Sequence, residues 1–312
     1  MTKKISIVIP VFNEENNIPE LVKALNKQRN SFYKYEIIFV NDGSTDNSEA
    51  VIRSICQSHN DAKLVSFTKN YGHEIAMSAG MDMSSGDAVI FMDADLQHPP
   101  HMIESMLKIW EGGKKIVLTR RTANEDHTLG YKLMSGVYYR VLNYLSDFNM
   151  QTNTPDFRLV DRYYIDLLKK FTENSRVFRG LLYLIDAKDD TETIEFAAPP
   201  RFAGESSYNF VKLFDLALDS IIAFSLKPLR IALILSSIIF ILSLAYGCYI
   251  LIISLTGNID VPGLTTQLLL TIILGSANLF VLSVIGEYIG RIHIESKNRP
   301  LYTIRKTVNF DK

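Results

Sequence analysis

The stretch 90-IFMDADLQHPP-100 decides the fold. An apolar run stops abruptly at two carboxylates spaced Asp-x-Asp, Asp93 and Asp95, followed by Gln97 and a double proline. Like charges at a strand end repel, so the pair needs a reason. A hard divalent cation supplies one, because Mg2+ and Mn2+ take oxygen ligands and often use only one or two carboxylates plus phosphate oxygens. Asp93, Asp95 and Gln97 are then the candidate ligands. An isolated Asp-x-Asp often caps a helix or solvates a loop. Here it ends a strand-like run and leads into Leu-Gln-x-Pro-Pro, which favours the metal.

Outward from this point, strand-like and helix-like segments alternate. Strands are expected at 5-ISIVIPV-11, 36-EIIFV-40, 63-KLVSF-67, 87-DAVIFM-92 and 115-KIVLT-119, with helices near 17–29, 46–58, 73–84 and 99–111. That order predicts an α/β domain with a mainly parallel sheet covered on both faces. Ligands in such sheets sit beyond the carboxyl ends of the strands. Residues 10–14, 41–46, 70–73 and 93–97 fall there. No two glycines are spaced G-x-G and none precedes Lys-Ser or Lys-Thr, so a glycine-rich phosphate loop is excluded.

The C-terminal third has a different composition. The runs 231-IALILSSIIFILSLAYGCYILIISL-255 and 263-GLTTQLLLTIILGSANLFVLSVIG-286 carry no charge. At 1.5 Å per residue the first spans about 37 Å, enough for a hydrocarbon core of about 30 Å. Basic residues flank both runs, while the connecting loop 256–262 carries only Asp260. The positive-inside rule places both termini in the cytoplasm. No signal peptide precedes the first strand, and Cys56 and Cys248 support no disulfide framework. In 208-YNFVKLFDLALDSIIAFSLKPLR-230, polar residues recur at helical spacing on an otherwise apolar helix. It is fit to lie in the membrane interface, with a core helix as the competing reading. The expected organisation is a cytoplasmic catalytic domain over 1–207, an interfacial helix over 208–230, spans over 231–255 and 263–286, and a cytoplasmic tail over 287–312. Glu287 and Arg291 can pair on one helix face. With 33 basic and 34 acidic side chains, overall charge offers no argument for a nucleic-acid partner.

The chain resembles glycosyltransferase family 2, with its GT-A nucleotide-sugar-binding fold. The resemblance rests on 9-IPVFNEENNI-18, 40-VNDGSTDNS-48, 69-KNYGHEIAMSAGMD-82 and 93-DADLQHPP-100, and continues through 154-TPDFRLVDR-162, 175-SRVFRGL-181, 201-RFAGESSYN-209 and 286-GEYIGRIHIESKNRPLY-302. Within the family it is similar to the bactoprenol-phosphate glucosyltransferases, relatives of dolichyl-phosphate mannose synthase. This implies a nucleoside pocket of Pro10, Phe12, Glu14, Asn41 and Asp42, with Asp93 on ribose or metal and Asp95 and Gln97 on the metal. Many relatives have an aspartate at the position of Asn41. The resemblance also implies that Arg201 folds over the donor diphosphate, that Arg120, Arg121, Lys132 and Ser135 hold the acceptor phosphate, and that Asp156 is the catalytic aspartate. A solvated face competes for the two neighbouring arginines, and a simple loop-fixing pair with Arg158 competes for Asp156.

The implied reaction is inverting transfer of a hexose to polyprenyl (undecaprenyl) phosphate at the bacterial cytoplasmic (inner) membrane. UDP-glucose is the favoured donor; UDP-N-acetylglucosamine, UDP-galactose and GDP-mannose remain open. A phosphate monoester is mostly dianionic at neutral pH, so no strong general base is required and Asp156 is expected to position substrate. Polar residues in the second span and Gly286 and Gly290, four apart, favour a homo-oligomer, which the resemblance makes a tetramer. A processive polysaccharide synthase would carry Q-x-x-R-W, but the single tryptophan, Trp110, lies in 107-LKIWEGG-113. A transporter or scaffold would show charges inside the spans or a degraded catalytic set. The histidines His73, His98 and His101 are read as cap-region residues, since an oxygen-only site fits magnesium better.

Overall fold

The computed structural model describes residues 2–122, 154–171, 185, 187–197, 199, 227–256 and 263–310. These divide into two compact units, one holding the residues up to 199 together with 300–310, the other holding 227–256 and 263–299.

The first unit is built on an eight-stranded sheet. Its strands are β1 (Lys4–Val11), β2 (Lys34–Asn41), β3 (Ala62–Phe67), β4 (Ala88–Phe91), β5 (Ile116–Arg121), β6 (Arg158–Asp161), β7 (Thr191–Phe196) and β8 (Ile304–Val308), in the spatial order β7-β5-β6-β4-β1-β2-β3-β8. Strands β4, β1, β2 and β3 are mutually parallel. Strand β6 inserts antiparallel between β4 and β5, and β8 closes the far edge antiparallel to β3. Among the described residues, the helices of this unit are α1 (Ile18–Gln28), α2 (Ser48–Ser58), α3 (His73–Met83), α4 (Met102–Glu111) and α5 (Arg162–Leu168).

The near-continuous apolar strands follow from burial on both faces. On one face Ile5, Ile7 and Ile9 of β1 pack with Leu21 and Leu25 of α1, Ile52 of α2 and Ile103 of α4. On the other, Val8 and Val40 meet Ala76 and Met77 of α3 and Ile165 of α5. Helix α3 lies unusually close to the sheet. A Cβ on Gly80 would stand 2.2 Å from Val8 Cγ1, so only glycine fits that crossing.

All five strands and four helices expected from the sequence are present within a few residues of their expected ends. Strands β6, β7 and β8 were not foreseen. The segment expected as a tail instead continues a helix and then adds β8 to the edge of this sheet.

The second unit holds α6 (Lys227–Leu255) and α7 (Gly263–Ser296), which pack against each other. Leu229–Tyr249 and Leu270–Ser296 are long and apolar enough to cross a membrane. The expected pair is present at the end of α7, where Arg291 Nε donates to Glu287 Oε1 at 3.2 Å. Helix α6 starts at Lys227, so only the last residues of the expected interfacial segment are described, as its first turn. Residues 208–226 and the connecting loop from 257 to 262 lie outside the described residues.

One buried acid ties the first three strands together. Glu36 on β2 is 1% exposed and accepts from Ser6 Oγ at 2.5 Å, from the Ser85 backbone N–H at 2.8 Å, and from Lys4 and Lys63 Nζ at 2.9 Å each. Burial alone would raise its pKa, but these donors outweigh it and hold the carboxyl near 2 against an ordinary 4.5. A depressed folded-state value means that the stabilisation is present above the ordinary pKa and is lost as pH falls towards 2. Glu36→Gln leaves two lysines against a neutral amide, which costs roughly 3 kcal/mol at pH 7. For a unit of this size that is a drop in Tm of about 5–10 °C. The gap between wild type and variant should shrink between pH 4.5 and pH 3 in thermal melts of the full chain in detergent. An unchanged gap at low pH contradicts the assignment.

Candidate active site

The loops after β1 and β2 are joined by side chains acting on backbone. Asn13, at φ 58°, accepts from the Thr45 N–H at 2.8 Å, and its own N–H donates to Ser44 Oγ at 3.1 Å. The Glu14 N–H donates to Ser48 Oγ at 2.8 Å, and Asp46 accepts from the Glu15 N–H at 3.2 Å. These bonds satisfy groups that a short loop cannot pair internally. Pro10 is buried in β1. Phe12 stands 46% exposed, an apolar ring at the rim. The Glu14 side chain accepts from Asn17 Nδ2 at the start of α1.

Asn41 and Asp42 face inward. Asn41 is fully buried, its Nδ2 donating to Glu49 Oε2 and Ser66 Oγ at 3.1 Å each, its Oδ1 accepting from the Ser44 N–H at 3.2 Å. Asp42 accepts from the backbone N–H groups of Tyr71 and Gly72 at 2.6 and 2.9 Å. Burial raises its pKa despite those two bonds. The loops after β2 and β3 meet so closely that a Cβ on Gly43, at φ 68°, would lie 2.5 Å from the Lys69 carbonyl carbon. Both side chains of the expected nucleoside pocket are thus engaged in holding the loops beyond β2 and β3.

Beyond β4 the acids gather. Asp93 Oδ1 lies 2.7 Å from His73 Nε2, at the first residue of α3. His73, Glu74 and Asp156 offer ligand atoms all within 4.8 Å of one another. Burial pushes the His73 pKa down, but the Asp93 hydrogen bond and the charges of Asp93, Asp156 and Glu74 lift it to about 9. The imidazole is therefore a cation at neutral pH. Asp156 is also bonded by Arg158 Nη2 at 2.6 Å, and Arg158 is 2% exposed. The expected pair with Arg158 is thus present, and Asp156 lies in the acidic cluster as well.

His98 is fully buried and stacks on Phe157, ring centroids 5.0 Å apart. Its Nδ1 accepts from the Asp93 N–H at 2.9 Å, which puts the proton of the neutral ring on Nε2, 3.6 Å from Asp93 Oδ2. Burial keeps its pKa below the ordinary value, against the charges of Asp93, Asp95 and Asp156. His73 and His98 were passed over in the sequence because a lone histidine near a helix start is common. Their meaning comes from convergence on Asp93 out of two different loops, which no spacing encodes.

Asp95 is nearly buried and accepts from the Gln97 N–H at 3.1 Å across Leu96, which is held at φ 63°. A leucine in left-handed backbone is a local strain confined to the Asp-x-Asp turn. Gln97 Oε1 accepts from Arg121 Nη2 at 3.1 Å. Adjacent residues on a strand point to opposite faces, and the two arginines separate accordingly. Arg121 turns towards the Asp-x-Asp loop, whereas Arg120 pairs with Glu195 Oε1 at 2.6 Å on an exposed surface. Lys132, Ser135 and Arg201 lie outside the described residues.

The donor set suits a divalent cation. The carboxylates of Glu74 and Asp156 are hard oxygen donors that suit Mn2+ or Mg2+ beside Asp93, and His73 could join them only as the neutral imidazole, after giving up the proton it holds against Asp93. Two histidines flank Asp93, His73 at 2.7 Å and His98 at 3.6 Å.

Comparison with known proteins agrees with this architecture. A family model described as glycosyl transferase family 2 matches residues 6–168. An uncharacterised glycosyltransferase of Synechocystis is 38% identical over 305 residues, covering 97% of this chain and 95% of the relative. The bactoprenol glucosyl transferase of Shigella phage SfII is 37% identical, covering 97% and 98%. A prophage homologue of that enzyme in Escherichia coli is 34% identical, covering 97% and 99%. Among solved structures, Mycobacterium tuberculosis glucosyl-3-phosphoglycerate synthase in complex with phosphoglyceric acid superposes with a TM-score of 0.51 at 20% identity, over 70% of this chain and 78% of that one, which supports the GT-A fold. A sheet whose strand ends collect acids, matched by the family model and by relatives along nearly its whole length, makes this chain a member of glycosyltransferase family 2 and a glycosyltransferase.

Proposed function

We propose that the chain transfers a hexose, glucose from UDP-glucose first among donors, to a polyprenyl phosphate at the cytoplasmic face of a membrane, with inversion at the anomeric carbon. The observation that carries this is the match to bactoprenol glucosyl transferases over 97% of the chain, the two apolar helices included. A polyprenyl chain leaves the bilayer at about 0.8 kcal/mol per exposed methylene. An enzyme using such an acceptor gains from helices that keep it at the lipid surface. We assign residues 208–230 to the interface and α6 and α7 to two membrane spans, with the catalytic unit and both termini cytoplasmic.

The acceptor determines what the side chains must do. A phosphate monoester attacks as a dianion, so Asp156 need not remove a proton. One of its oxygens is already committed to Arg158, which suits a group that orients rather than abstracts. Two phosphorylated substrates repel each other, and among the described residues His73 beside Asp93 and Arg121 beside Gln97 are cations at hand. A divalent cation held by Asp93 and Asp95, with the Glu74 and Asp156 carboxylates near Asp93, would supply further charge neutralisation at the donor diphosphate. Phe12 and the 12–17 and 42–47 loops form the wall against which the nucleoside rests. Arg201 and Lys132 remain assigned to donor and acceptor phosphates by their motifs.

Membranes carrying the chain, given polyprenyl phosphate and a panel of labelled nucleotide sugars, should form a glucosylated lipid from UDP-glucose. Its anomeric configuration should be opposite to the donor's. Chelation should abolish the product and Mg2+ or Mn2+ restore it. Product formation that survives metal removal refutes the roles of Asp93 and Asp95, and a full panel without lipid-linked product refutes the reaction.

Asp156→Asn should lower kcat by about 10²–10³-fold with little change in donor KM. Near-normal turnover removes Asp156 from the catalytic residues.

Arg121→Ala should raise the KM for polyprenyl phosphate by about tenfold, and Arg120→Ala by less than about threefold, since only Arg121 reaches the Asp-x-Asp loop. Equal effects of the two substitutions contradict that division.

A further inference from the structure

The segment after α7 returns to the catalytic sheet as β8, and its register on β3 is not regular. Leu64, Val65 and Ser66 pair with Val308, Thr307 and Lys306, but Phe67 pairs with Ile304. Arg305 is therefore the extra residue of a bulge. Bulges occur beside functional sites, where they re-aim one side chain out of the ladder.

The re-aimed side chain lands on Glu49 of α2. Arg305 Nη2 bonds Glu49 Oε2 and lies 3.4 Å from Ser66 Oγ. The same Oε2 accepts from Ser66 Oγ at 2.7 Å and from Asn41 Nδ2 at 3.1 Å. Glu49 Oε1 is taken by Arg53. Burial would raise the Glu49 pKa, but Ser66, Arg53 and Arg305 together bring it below the ordinary value, so it is an anion that accepts only. That fixes the amide of Asn41: its nitrogen must face Glu49, and its oxygen must face the Ser44 N–H. Ser44 and Thr45 in turn hold Asn13 of the loop after β1.

A second path from the same segment ends at the next residue. Tyr302 stacks on Phe67 at 5.1 Å, Phe67 meets the edge of Tyr71 at 5.5 Å, and the Tyr71 N–H is held by Asp42 at 2.6 Å.

We propose that Arg305 is a positioning residue for the donor nucleotide, setting the Asn41 amide and the 42–45 loop through Glu49. This rests on the reading of that loop as part of the nucleoside pocket. Arg305 touches no substrate; it acts at two removes, through one carboxylate.

The full chain in detergent is titrated with UDP and with GDP by calorimetry in the presence of Mn2+, and donor and acceptor KM are measured on the same samples. Arg305→Ala should weaken nucleotide binding and raise donor KM by about fivefold to tenfold, with kcat and acceptor KM within about twofold. Arg305→Lys should recover most of the loss, because it restores a cation on Glu49. Glu49→Gln should reproduce the defect, and Lys306→Ala, the next residue on β8, should not. Unchanged nucleotide affinity in both Arg305→Ala and Glu49→Gln overturns the proposal. So does an equal fall in donor binding, acceptor KM and kcat with a lowered Tm, which makes the bulge a structural staple only. A wild-type chain that binds UDP or GDP yet glycosylates no polyprenyl phosphate sinks the proposed reaction, while the Arg305 comparison still stands on the calorimetry.

Discussion

Carboxylates forced together at the end of a parallel sheet are the constraint on which the rest of this structure depends. Asp93, Glu74 and Asp156 come from three separate segments and converge around His73. At such separations, in a medium less polarisable than water, unanswered like charges would cost several kcal/mol. The fold answers them locally. His73 becomes a cation, Arg158 is buried against Asp156, and the Asp93 backbone is held by His98 from below. Each compensating group is itself fixed by packing or by a helix start, so the acids do not swing apart to relieve their repulsion.

The same logic divides acids of the cleft by role. Asp42 and Glu49 spend their lone pairs on backbone amides, a serine, an asparagine and arginines, and so hold loops. Asp93 and Asp156 keep their carboxylates beside one another's counter-charges, where a bound diphosphate and its metal could compete for them. Asn41 belongs with the first group. An asparagine there tolerates full burial because its amide provides both a donor for Glu49 and an acceptor for Ser44. An aspartate in the same place would face Glu49 as a second anion. The departure from the usual residue type therefore has a local electrostatic reason in this chain, whatever base the pocket receives.

The central strands were legible because β1 to β4 are buried on both faces and read as short apolar runs between turn residues. The Asp-x-Asp turn was legible because a strand that ends in two acids and two prolines has few structural explanations. Strand β8 was not, since an edge strand has one partner and 304-IRKTV-308 offers no alternation that separates it from a basic tail. Strand β6 hid because it is only four residues long and begins with Arg158, a charged residue whose burial the sequence pattern does not announce. Dependence on distant partners concealed the histidines. The inward orientation of Asn41 was equally unreadable, because Glu49 and Ser66 approach it from a helix and a strand that the motif does not contain.

A phosphate nucleophile explains why so constrained a cluster can still be catalytic. Transfer to a sugar hydroxyl needs a base with a free lone pair and room to take a proton. An acid clamped by a buried guanidinium, with a protonated imidazole nearby, is poorly arranged for that task. A dianionic phosphate arrives already deprotonated, so the residue beside it needs only to fix the angle of approach. Rigidity, which would handicap a base, becomes the useful property. On the proposed reaction, the Arg158 clamp on Asp156 suits a positioning carboxylate and fits a phosphate better than a hydroxyl as acceptor.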